Sequence, residues 1–158
     1  MKYALVLLSL LTVAACSAGS SAAAAGKAKA DYLAKAEVIC TKANTQQAAL
    51  KKPLSAADLA PYVHSLVSIA DQSTTALLRL TPPQADGKEL HAQLLDPLST
   101  QLAKAKTFDA AVAKAVKAKD QVGLVKLLSD PPTKTVANLT WMRSYGFHAC
   151  VDAADTSG

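Results

Sequence analysis

The chain is 158 residues long, with 51% hydrophobic, 4% aromatic and 18% charged residues and a formal net charge of +5. That length fits a single core, since domains usually run to roughly 100–200 residues. It carries 33 alanines against 7 aromatics and 6 glycines, so it lacks the β-branched and aromatic runs of a sandwich, jelly roll or barrel. Composition equally excludes collagen, a low-complexity tail and a multi-pass membrane protein.

Met1-Lys2 opens a short basic segment, and residues 3–11 form an almost unbroken apolar run. The run is shorter than the ~20 apolar residues of a membrane-spanning helix and has the proportions of a secretory h-region. It leads through Val13-Ala14-Ala15 into Cys16, a pattern that resembles a bacterial lipobox. The resemblance implies a signal peptide over residues 1–15, with Cys16 as the lipidated first residue of the mature chain. Val13, where Leu is commoner, is a mild departure. The plain alternative is an ordinary signal peptide cleaved later, within Ala22–Ala25. Residues 16–30, small and without a face to bury, are expected to be a flexible tether, with a reach on the order of 20 Å.

Residues 31–158 are expected to fold as the domain. Three cysteines are present, and Cys16 is assigned to the lipid. Cys40 and Cys150 remain, in an exported domain where disulfides persist. A bridge closing a loop of about 110 residues contributes roughly 4–5 kcal/mol in the chain-entropy model. Zinc is disfavoured, because only His148 lies near either cysteine at ligand spacing.

Four helical stretches follow from the 3.6-residue spacing of apolar side chains. The first, about 31–51, gathers Tyr32, Ala36, Ile39, Cys40, Ala43 and Gln47 on one arc, leaves Lys35 and Glu37 outside it, and stops at Pro53. The second opens either at Ser55, three residues before Asp58 as in a capping box, or at Pro61. Leu59, Val63, Leu66, Ala70 and Leu77 line its inner face up to Pro82-Pro83. The third, about 86–119, carries Leu90, Leu94, Leu98, Phe108 and Val112. Pro97 either kinks it or restarts it with Asp96 as N-cap.

Asp120 caps a short helix over 122–128. Asp130-Pro131 then opens the last helix, which ends at Gly146 in the left-handed C′ position with Phe147 packed back on Met142. Such helices with short connections read as an all-α, up-down four-helix bundle with a long, kinked third helix. The disulfide would join the first helix to the C-terminal segment.

The lipobox and tether, D-Y-L-A-K-A-E-V-I-C over 31–40, L-T-P-P over 80–83 and Y-G-F-H-A-C over 145–150 together resemble small helical lipoproteins and secreted proteins of actinobacteria. The resemblance implies fold, disulfide and export. It carries over no catalytic or binding residue.

Nothing in the sequence forms a catalytic motif: no G-x-S-x-G, H-E-x-x-H, P-loop or Gly-rich phosphate cradle. The chain is therefore expected not to be an enzyme and to need no cofactor or metal. Trp141, Tyr145 and Phe147 concentrate aromatic surface within seven residues, and Trp141 and Tyr145 share a helix face. They would line a ligand pocket or, more plainly, anchor an alanine-rich core. His64 falls on a polar face. His91, with Met142 or His148, would serve a haem or metal carrier, although lone His and Met residues are usually packing. Lys104, Lys106, Lys114, Lys117 and Lys119 make one face basic, suited to anionic lipid or wall polymer or simply solvated. Nucleic acid is not expected, since the only arginines are Arg79 and Arg143 and base readout favours Arg. The sequence thus points to a lipid-anchored protein on the extracytoplasmic face of the membrane, with a non-catalytic binding or accessory role toward an envelope protein or polymer.

Overall fold

A computed structural model describes residues 18–132 and 137–155. The expected signal peptide and Cys16 lie outside them. Among the described residues the chain is helical, with no strand.

Helix α1 (Ala18–Ala48) begins well before Asp31, which corrects the expectation of a flexible tether. Residues 22–28 are exposed, so burial does not drive this extension. Alanine has the highest helix propensity, and lengthening an existing helix needs no new nucleus. Lys27 adds an i,i+4 ion pair to Asp31 at 2.6 Å. At the other end Gln47, expected on the inner arc, is exposed.

Helix α2 (Ala56–Leu78) starts from Ser55, not Pro61. The Asp58 carboxylate accepts from the Ser55 N–H at 2.9 Å and from its hydroxyl at 2.7 Å. The hydroxyl bond chiefly holds the Asp58 carboxyl below its ordinary range. Pro61 is accommodated because the carbonyl it leaves without a donor is that of exposed Ala57.

The third stretch is α3 (Gly87–Leu90), a π-helical turn His91–Leu95, and α4 (Asp96–Lys117). In the turn the Asp96 N–H reaches back to the His91 carbonyl, adding one residue to the register. Leu94 and Leu95 are therefore both buried, where a regular helix would bury Leu94 alone. Asp96 is not an N-cap, since its backbone and that of Leu95 are already helical. Pro97 has no N–H to offer the Gln93 carbonyl, and the Asn138 N–H bonds that carbonyl at 3.3 Å instead.

Helix α5 (Gln121–Ser129) is capped as expected, with Asp120 accepting from the Gly123 N–H at 2.8 Å. Asp130 ends α5 and does not open the last helix. Helix α6 (Leu139–Tyr145) starts instead from Asn138, whose Oδ1 accepts from the Trp141 N–H at 3.0 Å. Gly146 closes α6 with φ 116°. The segment beyond it is a further helix, α7 (Ala149–Asp155), which the periodicity does not reveal.

Two apolar clusters fill the interior. One joins Tyr32 and Ala36 of α1 to Leu77, Leu94, Phe147 and Val151. The other joins Val63, Val112, Ala115 and Leu124. Helices α2 and α4 run antiparallel along both, bridged on the surface by His64–Asp109 at 2.9 Å and Asp71–Lys106 at 2.9 Å. Among the described residues, no helix is long and apolar enough to cross a membrane.

Candidate functional site

Cys40 and Cys150 are bonded, with Cα atoms 4.9 Å apart, so the staple runs from α1 to α7. One turn before Cys40, the Glu37 carboxylate accepts from the backbone N–H groups of His148 at 2.8 Å and Ala149 at 2.7 Å. One turn after it, Asn44 donates to the Ala149 carbonyl at 2.8 Å. Glu37, expected to be a surface charge, is thus a cap for α7.

The three expected ligand-binding aromatics do come together. Trp141 and Tyr145 stack at 4.8 Å, Tyr145 and Phe147 at 5.5 Å, and Phe147 meets the edge of Tyr32 at 6.4 Å. The Lys29 ammonium sits 3.8 Å over the Tyr145 ring. Trp141 Nε1 donates to Glu89 and the Tyr145 hydroxyl to Asp86, each at 2.7 Å. Burial, reinforced by Asp86, pushes the Tyr145 hydroxyl far above the usual tyrosine range. Phe147 is fully buried and presents no face to a ligand. The rings pack on one another and the polar ends of Trp141 and Tyr145 are satisfied, which fits an anchor joining the C-terminal segment to α1 and α3.

The expected carrier residues occupy different environments. The His91 side chain is 54% exposed and pairs with Asp96 at 3.2 Å. Met142 is buried in the core. His148 is exposed and engaged through its backbone. Among the described residues, no three or more His, Cys, Asp or Glu side chains are grouped to hold a metal ion. The α4 lysines are exposed, with Lys106 paired to Asp71.

A concavity lies away from these residues. A cleft of about 220 Å³ opens between α1 and the end of α2, with Asp31, Tyr32 and Lys35 on one wall and Arg79, Leu80 and Thr81 on the other. Sequence reading placed Lys35 on an outer face and gave Arg79 no role beyond a count, because only the docking of two helices brings them together. Family models, curated proteins and solved structures were compared with the chain, and none matches it.

Proposed function

We propose that the protein is a lipid-anchored component of the cell envelope, held outside the cytoplasmic membrane through Cys16, with a non-catalytic binding or accessory role. The Cys40–Cys150 bond carries the reading. A structural disulfide belongs to an oxidising compartment, and an apolar run ending in Val13-Ala14-Ala15-Cys16 is the means of reaching one. The resemblance to small actinobacterial lipoproteins supports the same address. The exposed first part of α1 then acts as a stem between the anchor and the domain. The domain itself is read as an up-down bundle whose third helix bends at Pro97, a reading supported by the antiparallel α2–α4 ion pairs and the π turn before the proline. The non-catalytic role rests on the missing catalytic motifs.

Fractionation of cells expressing the full chain or Cys16→Ser tests the anchor. The wild type is expected in the membrane fraction with a lipid-sized mass increment at Cys16, and Cys16→Ser in the soluble fraction. Membrane retention of Cys16→Ser, with an unmodified wild-type mass, overturns the proposal. Thiol labelling without reductant should leave Cys40 and Cys150 unmodified.

A further inference from the structure

Six large apolar side chains are exposed among the described residues, and four of them lie at one end of the bundle. The second apolar cluster marks that end: Ala56 and Leu59 at the start of α2, Val116 at the end of α4, and Leu124 and Leu127 of α5 all pack into it. With Leu124 and Leu127 turned inward, the 3.6-residue period turns Val122 and Val125 outward, and they are 82% and 67% exposed. Leu128 lies at the edge of that face. Leu54, two residues before α2, is 96% exposed.

Positive charge gathers in the same place. Lys114 and Lys117 lie in the last turn of α4 with Lys119 just beyond, Lys126 flanks Val122 and Val125 on α5, and Lys51 and Lys52 precede Leu54. All six lysines are exposed, and none enters an ion pair among the described residues. The acids here are Asp58, Asp120 and Asp130, and the first two carboxylates already accept from the N–H groups of Ser55 and Gly123. Six cations against three anions leave this end net positive.

We propose that this end of the bundle seats on the surface of an anionic phospholipid bilayer. Val122, Val125 and Leu54 enter the boundary between headgroups and acyl chains, and the six lysines meet the phosphates. Exposed valine and leucine gain nothing from an anionic wall polymer, and lysine gains little from an uncharged lipid. An anionic bilayer suits both, because interfacial binding combines apolar burial with attraction of Lys to acidic headgroups. Protein-binding surfaces favour aromatic residues and Arg and are poor in Lys, whereas this end exposes Lys, Val and Leu and holds neither arginine. Helix α1, 31 residues long, begins about 45 Å from this end, so seating here together with anchorage at Cys16 lays the domain along one bilayer. Which bilayer it meets rests on the envelope reading above. The seating itself requires no lipid on Cys16.

An environment-sensitive nitrobenzoxadiazole label at single positions of the full chain tests the contact. In Cys16→Ser protein, Cys40 and Cys150 are bonded to each other, so an introduced cysteine is the one reactive thiol. Val125→Cys, Leu54→Cys and, in the exposed loop at the opposite end of α2, Gln84→Cys are compared, with circular dichroism confirming that each folds. The vesicles are phosphatidylglycerol mixed with phosphatidylcholine, or phosphatidylcholine alone. On the anionic vesicles the labels at positions 125 and 54 are expected to shift to shorter wavelength and to be quenched by doxyl-labelled lipid, while the label at 84 does neither. On phosphatidylcholine alone none should respond. Because the readout is local, insertion of the apolar run over residues 3–11 does not mimic it, and because Cys16 is replaced, its outcome is independent of lipidation. Lys119→Gln with Lys126→Gln should weaken the response at both positions, about fivefold in affinity for each lysine removed. No response at position 125 on anionic vesicles, the result if a protein covers this end instead, overturns the proposal. An equal response at 84, which marks general adsorption, or an equal response on phosphatidylcholine also overturns it.

Discussion

Glu37 accepts a hydrogen bond from the Ala149 N–H at 2.7 Å across 112 residues of sequence, one helical turn from the Cys40–Cys150 bond. Helix α7 is only seven residues long, too short to hold its shape alone in water. The carboxylate satisfies N–H groups at its start and opposes the positive end of its dipole, while the disulfide fixes its position. Chemistry at two adjacent sites on α1 thus creates a helix that has little propensity-based reason to exist.

Glu37→Ala should cost about 1.5–3 kcal/mol, the range for hydrogen bonds to a charged group. Cys40→Ala with Cys150→Ala should cost roughly 3–5 kcal/mol. The two losses should not add, because α7 without its staple gains less from its cap. Urea unfolding of the four variants of this cycle measures the coupling, and strictly additive losses would count against a shared role.

Much of the fold was legible where one residue type has one local job. The start at Ser55 with Asp58, the Asp120 cap and the Gly146 terminus follow from local chemistry, the pairing of Cys40 with Cys150 follows from the cysteine count, and all hold in the structure. The contact of Trp141 with Tyr145 was legible for the same reason. What was not legible depends on distant partners or on a broken period. The π turn hides Leu95 from a 3.6-residue count. Glu37 looks like any helix-surface acid until α7 docks on it. Residues 22–28 of α1 are exposed, so a search for apolar faces overlooks a helix built on alanine. Lys35 and Arg79 sit on different helices and line one cleft only because α1 packs on α2.

Asn138 joins α6 to the π turn twice, through its N–H to the Gln93 carbonyl and its amide to the Gln93 side chain at 3.1 Å, while its Oδ1 caps α6. Asn138→Ala should cost about 1–2 kcal/mol. Asn138→Asp keeps the cap and loses only the amide donor, so its cost should be the smaller. Equal losses by thermal unfolding would show that the cap contributes nothing.

Two helix ends share one hydrogen-bond pattern but differ at the left-handed position. After α6 the residue is Gly146 at φ 116°, and after α4 it is Lys119 at φ 55°. At each, the next N–H bonds a carbonyl five residues back, from Phe147 to Met142 and from Asp120 to Ala115. Lys119→Gly should stabilise by about 0.5–1 kcal/mol by relieving the Cβ clash. Gly146→Ala should destabilise by about 1–2 kcal/mol or more, since its Cβ would also lie 3.0 Å from Leu33 Cδ1. Chemical denaturation of the two variants should give opposite signs.

Tyr145 links stability to alkaline pH. Its hydroxyl donates to Asp86 at 2.7 Å, and burial with that bond raises its pKa well above the ordinary tyrosine range. Below about pH 10 both folded and unfolded chains hold the proton, and the contribution is fully present. Above it the unfolded chain releases the proton first, so stability falls by up to ~1.4 kcal/mol per pH unit until the folded value is passed. Tyr32, also raised by burial, adds a slope of the same sign. Tyr145→Phe should be less stable than wild type near neutral pH by about 1.5–3 kcal/mol, through loss of the bond to the Asp86 carboxylate. Its stability should then decline less steeply, so the difference narrows as the pH rises past about 10. Urea midpoints across this range, with tyrosinate absorbance as the titration signal, measure both slopes. Parallel curves would mean that Tyr145 does not keep its proton in the folded state.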